Sequence, residues 1–154
     1  MALISKCCSD EAEKVRPKSF DLDVRSMLRT IGMRPTRQRT ELGRLLFSRG
    51  NRHLTAEMLA EEAFQSATFV SLATVYNTLN RFTEAGLLRQ IAVDGSKTYF
   101  DTNTAQHHHL FLEDQNLLID MPVVDIRFSN GTNLPENHEI ARVDVVVRLK
   151  RRRS

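Results

Sequence analysis

Three of the five histidines stand side by side, at His107, His108 and His109, and they are the residues in this sequence best suited to binding chemistry. On a strand, His107 and His109 point to one face and His108 to the other, so the run can serve two faces that other residues complete. His53 and Asp101 are candidates for completing them. Imidazole with carboxylate suits iron or zinc, and imidazole also binds haem iron. The alternative is a polar strand end with a fortuitous histidine run.

Other side chains able to bind a metal follow the triplet or lie near the N-terminus. Further oxygen donors follow the triplet at Glu113, Asp114 and Asp120. The histidine spacing matches no compact zinc motif, and His138 falls in a predicted loop, where we expect a structural or exposed side chain. The two cysteines, Cys7 and Cys8, are adjacent, so they cannot cross-link distant segments by a disulfide bond. They are also too few for a structural four-cysteine zinc site. We interpret them as free thiols.

Basic residues cluster at two places, although the formal net charge is only +3. The first third contains Arg25, Arg29, Arg34, Arg37, Arg39, Arg44, Arg49 and Arg52. Clustered arginine predicts a polyanionic partner. A second cluster, residues 148–153, either contacts phosphate or is a solubilising tail.

The helix predicted from Ser71 to Ala85 has a side suited to reading DNA. Its apolar positions, Leu72, Val75, Leu79 and Phe82, fall on one side and are expected to face a core. The remaining candidates for DNA contact are Ser71, Ala73, Thr74, Tyr76, Asn77, Asn80 and Arg81. Small, amide and aromatic side chains of this kind approach base edges, whereas an ordinary solvated helix, which is the alternative, usually mixes Glu and Lys.

Three arginines near this helix are candidates for contacting the DNA backbone and minor groove. Arg34 lies on a predicted loop, from which it can enter a narrow A·T-rich minor groove. Arg37 and Arg39 lie on the first turn of the following helix and suit phosphates. A plain charged surface is the alternative for each.

The order of predicted elements indicates the fold. Asp21, Thr36, Thr55 and Ser71 each cap a helix, and two short strands, 88–93 and 98–100, then flank the turn at residues 94–96. Helices followed by a hairpin are typical of a winged helix-turn-helix. We therefore predict an α+β fold with a mobile arm over 1–20, a winged-helix DNA-binding domain over 21–102, and a small α/β dimerisation and sensing domain over 103–154.

The second region is predicted to need a partner. Residues 107–112 and 117–121 form a predicted hairpin, and Ile140 to Leu149 form a β-branched run that predicts a strand. About 50 residues rarely bury a sufficient core alone, so we expect a homodimer. No apolar run approaches the roughly 20 residues of a membrane span, and the first residues make a poor signal peptide. We therefore expect a cytoplasmic protein without a membrane partner.

Several segments of the sequence resemble the ferric uptake regulator (Fur) superfamily. They are residues 32–39 (GMRPTRQR), 53–57 (HLTAE), 71–79 (SLATVYNTL), 97–101 (KTYFD) and 107–109 (HHH), and the likeness is collinear from about Leu28 to Met121. The histidine triplet, the ending ARVDVVVRL and the missing Cys-x-x-Cys are most similar to the iron response regulator (Irr) branch.

This resemblance implies a homodimeric repressor-type regulator of iron and haem homeostasis on an A·T-rich inverted repeat of double-stranded DNA. It implies that Tyr76 reads bases, that Arg34 uses the minor groove, and that haem bound by the triplet weakens DNA binding. A haem-delivering protein would then be a further partner. His53, Asp101 and His108 match the family's metal site between the domains, and one usual ligand has no clear counterpart.

Three other functions stay open at this point. A divalent metal (Fe, Mn or Zn) can act as corepressor in place of haem. Either haem or a metal that joins His53 or Asp101 to the triplet would fix the angle between the domains. A metallohydrolase would need an open coordination site and a general base, and the arginine-rich first third argues against an enzyme. A purely structural dimer predicts no specific duplex binding.

Overall fold

The computed structural model describes residues 23–93, 95, 97–124 and 134–152. The predicted N-terminal arm, the predicted cap Asp21 and the two cysteines lie outside the described residues. None of the helices in the described ranges is both long and apolar enough to cross a membrane.

Four helices form the N-terminal region, which we define as residues 23–102. They are α1 (Val24–Thr30), α2 (Arg37–Phe47), α3 (Ala56–Gln65) and α4 (Leu72–Glu84). Thr36, Thr55 and Ser71 cap the last three as predicted, because each side-chain oxygen accepts a hydrogen bond from a backbone N–H in the first turn. The cap of α1 is Asp23, whose carboxylate accepts from the Ser26 N–H, and not Asp21.

The helices enclose one apolar core to which all four contribute. Fully buried members include Leu28, Leu42, Leu59, Leu79 and Phe82. On α4, Leu72 is 42% exposed, contrary to the prediction, because it begins the helix and lies beyond the end of the packed stripe. Thr78 is buried in that stripe instead, and its hydroxyl is satisfied by donating to the Thr74 carbonyl at 2.8 Å.

A three-stranded sheet completes the N-terminal region as a winged helix. Strands β2 (Arg89–Ala92) and β3 (Thr98–Asp101) pair antiparallel, as predicted. A two-residue strand that the sequence did not predict, β1 (His53–Leu54), pairs with the other edge of β3 and gives the order β1-β3-β2. This pairing places His53 directly opposite Asp101.

The C-terminal region, which we define as residues 103–152, contains a second three-stranded sheet. Its strands are β4 (His108–Leu112), β5 (Leu117–Met121) and β6 (Val146–Leu149), in the order β5-β4-β6 with β4 and β6 parallel. Only the last four residues of the strand predicted over 140–149 are extended in the ladder, because β4 starts at His108 and offers earlier residues no partner.

The two sheets pack against each other through side chains of the hairpin formed by β2 and β3, which we call the wing. Ile91, Val93 and Tyr99 from the wing form one apolar cluster with Phe111 and Leu118 from the second sheet. The Tyr99 and Phe111 ring centroids are 6.1 Å apart, and the Tyr99 hydroxyl donates to the Asn116 carbonyl at 2.9 Å. The α+β architecture predicted from the sequence is confirmed.

Candidate metal centre and DNA-reading surface

Five side chains from both regions converge between the two sheets. They are His53 on β1, Asp101 at the end of β3, His107 just before β4, His109 on β4 and Asp120 on β5, and we call them the metal-ligand group. One ligand atom from each lies within 4.8 Å of every other. The antiparallel register brings His109 opposite Asp120 in the second sheet, as it brings His53 opposite Asp101 in the first.

The distances within the metal-ligand group are short. His107 Nε2 lies 2.9 Å from Asp101 Oδ2, and His53 Nε2 lies 2.9 Å from Asp120 Oδ1. His109 Nε2 is 3.5 Å from Asp101 Oδ2. Three imidazole nitrogens therefore surround two carboxylate oxygens.

Four of the five ligand atoms in this group lack hydrogen-bond partners in the part of the chain that the structure describes. The Nε2 atoms of His53, His107 and His109 and the Oδ2 atom of Asp101 are buried and make no aligned hydrogen bond. Buried polar atoms are nearly always paired, because an unpaired one loses its hydration without compensation. Lone pairs of neutral imidazoles and carboxylates that face one another repel unless a proton or a cation lies between them. The group therefore fits a small cation.

Asp101 carries its negative charge into this centre. Burial of the carboxyl raises its pKa, but contacts with His109 and His53 and a 2.7 Å hydrogen bond from the Asn103 backbone N–H lower the pKa by more. The net pKa of Asp101 is well below its ordinary value, so the carboxylate is ionised near neutral pH and available to a cation.

The side of α4 predicted to read DNA is open to solvent. Ala73, Asn77, Asn80 and Arg81 are exposed, whereas Val75, Thr78, Leu79 and Phe82 are buried against the other helices. Thr74 and Tyr76 are half-buried at the edge of that side, and Ser71 caps the helix.

The three arginines predicted to contact the minor groove and the phosphates lie just before α2 and on its first turn. Arg34 and Arg37 are exposed, and Arg39 is half-buried with its guanidinium donating to the Arg34 carbonyl at 3.3 Å. Arg81 on α4 forms an ion pair with Glu84 at 2.8 Å, so its charge is partly engaged within the helix.

One contact on the side of α4 predicted to read DNA was not predicted from the sequence. The Tyr76 hydroxyl donates a 2.8 Å hydrogen bond to Glu57 on α3, which raises the pKa of Tyr76. The pKa of Glu57 is lowered by a hydrogen bond from its own backbone N–H, by Thr55 and then by Tyr76. Glu57 was visible in the segment HLTAE, but no local pattern indicated that it meets a residue of the next helix.

The chain is similar in sequence to known proteins. The model of the ferric uptake regulator family matches residues 30–146. The chain is 33% identical to the ferric uptake regulation protein of Shigella flexneri over 119 residues, which cover 77% of this chain and 76% of that protein. The chain belongs to the ferric uptake regulator family.

Solved structures of Fur proteins share the fold. The regulator of Vibrio cholerae has a TM-score of 0.65 at 22% identity and covers 83% of this chain and 99% of its own. That of Pseudomonas aeruginosa with manganese has a TM-score of 0.62 at 22% identity and covers 86% and 100%. That of Francisella tularensis with iron has a TM-score of 0.60 at 20% identity and covers 77% and 92%.

In this Fur-family chain the structure assigns the triplet differently from the sequence interpretation. His107 and His109 join His53 and Asp101 in the metal-ligand group, whereas His108 lies on the opposite face of β4, because side chains alternate along a strand. Asp120, which the sequence indicated only as a nearby oxygen donor, lies in the same group. His108 is buried, and its Nδ1 has no hydrogen-bond partner among the described residues.

Proposed function

We propose that this Fur-family protein is a sequence-specific DNA-binding transcriptional regulator whose operator affinity is set by a divalent metal ion held by the metal-ligand group. One observation carries the proposal. Five metal-binding side chains from both sheets place their ligand atoms within 4.8 Å of one another, and most of these atoms are buried without partners.

The composition of the group selects the class of ion. Three imidazole nitrogens and two carboxylate oxygens suit iron, manganese or zinc, whereas magnesium and calcium prefer all-oxygen sites. Related Fur structures were solved with manganese and with iron. His53 and Asp101 would hold the ion from the N-terminal region, and His107, His109 and Asp120 from the C-terminal region.

An ion held from both regions would link them. The bound ion would supply the positive charge to which all five ligand atoms are attracted. The two sheets would then be held at one angle to each other. If the DNA-competent arrangement binds the ion more tightly, DNA must in turn raise the ion's affinity. Under this linkage the metal ion would act as a corepressor.

Haem stays a prediction carried over from the resemblance to the Irr branch. A haem iron already has four equatorial ligands, so protein ligands approach it only along one axis. The metal-ligand group instead surrounds one small volume from several directions, and His108 faces away from it. The geometry therefore favours the divalent ion as the ligand of this group.

The open side of α4 and the arginines at the start of α2 support DNA binding. Tyr76 and its exposed neighbours on α4 would face base edges in the major groove, while Arg37 and Arg39 would contact phosphates. We propose an A·T-rich inverted repeat as operator, with Arg34 in its minor groove.

The second sheet supports a homodimer. Its face turned away from the wing carries two cross-strand apolar rows, Ile119–Leu110–Val147 and Leu117–Leu112–Leu149, and we call this the outer face. Four of these six side chains are exposed and the two on β4 are half-buried. A contiguous apolar face of this kind is typical of an association surface, and a second copy would bury it.

Metal titrations of DNA binding test the proposal. The affinity of the full chain for an A·T-rich inverted repeat is measured with increasing Mn²⁺, for the parent, for His109→Ala and for His138→Ala. We expect Mn²⁺ to tighten binding of the parent by about tenfold or more, within the usual range of allosteric coupling. His109→Ala should lose this response, and His138→Ala, changed at an exposed loop residue, should keep it.

Two outcomes would contradict the proposal. Operator binding that ignores Mn²⁺, Fe²⁺ and Zn²⁺ in the parent would remove the metal as signal. A Soret band that depends on His107, together with a haem-induced change in operator affinity, would favour haem.

A further inference from the structure

A buried arginine connects the two regions next to the metal-ligand group. Arg89, the first residue of β2, is 8% exposed, and its Nη2 donates to Asp144 Oδ1 at 2.6 Å. Asp144 precedes β6 in the C-terminal region and lies 55 residues further along the chain. This ion pair therefore joins the wing to the second sheet.

The same guanidinium also holds a backbone carbonyl that contacts a candidate metal ligand. Arg89 Nη1 donates to the Ala105 carbonyl at 2.7 Å, and His107 Nδ1 lies 2.8 Å from that carbonyl oxygen. A carbonyl oxygen accepts and never donates, so this distance requires a proton on His107 Nδ1. The Nε2 lone pair of His107 is then free to face the other ligands.

We propose that Asp144, acting through Arg89 and the Ala105 carbonyl, positions His107 in the tautomer and orientation that bind metal. The inference deepens the proposed function, because it assigns second-sphere residues to that same site. Arg89 and Asp144 are positioning residues, and neither is in the metal-ligand group.

The charges at this contact make Asp144 important despite its exposure. Arg89 is buried and remains protonated, and its Nη1 lies 3.2 Å from His107 Nδ1. Because Nδ1 carries the proton that it donates to the nearer Ala105 carbonyl, this is a contact between two donors and not a hydrogen bond. Without the Asp144 carboxylate, an unpaired buried cation would stand beside a ligand of a second cation, which is unfavourable. Arg142 also donates to Asp144 Oδ1, at 2.8 Å, but from the exposed side.

The position of Arg89 gives this contact a route to DNA. Helix α4 ends at Glu84, and β2 begins at Arg89 after the turn that contains Gly86, whose φ is +73°. A shift of His107 that is passed to Arg89 therefore reaches the strand attached directly to the DNA-reading helix.

Titration with Co²⁺ tests the positioning role in the full chain. The background is Cys7→Ser with Cys8→Ser, so that thiolates do not bind the probe. Affinity and the visible absorption of bound Co²⁺, which reports coordination geometry, are measured for Asp144→Asn, Arg89→Gln and the double variant. The matched control is Arg142→Gln, which removes the exposed contact to the same carboxylate.

We expect each single variant to bind Co²⁺ about tenfold more weakly, the size typical of second-sphere changes, with an altered absorption spectrum. Because the two residues act in one series of contacts, their effects should not add. The double variant should bind Co²⁺ with an affinity no lower than that of the single variant that binds Co²⁺ more weakly. Arg142→Gln should stay within about twofold of the background, as a surface change usually does. An Asp144→Asn variant with the affinity and spectrum of the background would overturn the inference, as would effects that multiply in the double variant.

A measurement without metal separates this inference from the proposed function. The ¹⁵N shifts of the His107 ring should show a proton on Nδ1 in the background and a tautomer mixture in Arg89→Gln and Asp144→Asn. If the background fails to bind Co²⁺ through His109, the metal proposal fails, and the ring shifts alone then decide the positioning role. Unchanged ring shifts in both variants would overturn it.

Discussion

The two regions of this protein obtain their cores differently. In the N-terminal region, α1 to α4 bury large side chains such as Leu42, Leu79 and Phe82 completely within one cluster. In the C-terminal region, Phe111 and Leu118 are the buried apolar side chains among the described residues, and they pack against three residues of the wing. The first region is therefore stabilised by its own residues, while the second depends on the wing and, as we propose, on a second copy.

This difference separates the two halves of the proposed mechanism. The residues that would read DNA lie on a region with a complete core, so its surface keeps its shape. The residues that would sense metal lie between the N-terminal and C-terminal regions. The Arg89–Asp144 ion pair also joins these two regions. A small free energy from metal binding can then change the arrangement of the regions without unfolding the reading surface.

The largest effect is expected from a cavity in the first core. Phe82 is fully buried and its ring lies 5.7 Å from that of Phe47, so Phe82→Ala should lower the free energy of unfolding by about 3–5 kcal/mol. Denaturant unfolding of the metal-free protein measures this value. The control Phe64→Ala, at an exposed ring, should cost within about 0.5 kcal/mol. Equal destabilisation in the two variants would mean that this region has no core of its own.

The next effect tests whether the second region needs a partner. Ile119 is exposed on the outer face, and Ile119→Lys should raise the dimer dissociation constant about a hundredfold by placing a charge in an apolar interface. Sedimentation at several concentrations measures it. Gln115→Lys, in the exposed β4–β5 turn, should leave the constant unchanged. A monomeric parent, or an Ile119→Lys dimer as tight as the parent, would contradict the outer-face interface.

A smaller effect is expected on the reading surface. Tyr76→Ala should reduce the ratio of operator affinity to random-duplex affinity about tenfold, because the variant no longer reaches a base edge. The ratio is the readout because Tyr76 also packs half-buried against the core, and a loss of folded protein would weaken binding to both duplexes alike. Competition gel shifts measure the ratio, with Gln65→Ala at the far end of α3 as control. Equal weakening on operator and random duplex would remove the base-reading role of Tyr76.

The smallest effect concerns the phosphate backbone of the operator. Arg37 is exposed on the first turn of α2, and Arg37→Ala should lower the slope of log affinity against log salt concentration by about 0.9 for each phosphate that Arg37 neutralises. Specific and random duplexes should weaken alike. Arg142→Ala, at an exposed arginine of the C-terminal region, provides the control. An unchanged slope in Arg37→Ala would exclude an interaction of this arginine with phosphate.

Most of the N-terminal region could be predicted from local sequence. Caps such as Thr36 and Ser71 and apolar residues at helical spacing act within one turn, so they indicate helices without knowledge of the fold. Strand β1 was missed because two residues carry no periodicity, and they are extended only because β3 pairs with them. Leu72 was misplaced because a helical pattern does not show where the packed stripe ends.

The metal-ligand group was predicted in part for a related reason. The triplet, His53 and Asp101 stood out by type, and strand alternation showed that His108 must separate from its neighbours. Which face meets the other ligands depends on the register of β4 with β5, and the same register adds Asp120. The Arg89–Asp144 contact joins residues far apart in the chain, which no local pattern reveals.

The amino-acid sequence alone determined the helices, the wing, the side of α4 that carries small, amide and aromatic residues, and the residue types able to bind a metal. These properties arise from short-range geometry and side-chain chemistry. Tertiary structure decided which histidines lie in one group and that Asp120 lies with them. It also decided that Arg89 and His107 contact the same Ala105 carbonyl. Those outcomes depend on strand register and sheet packing, which are set by the burial of apolar residues distant in the chain, so they emerge only when the whole fold is formed.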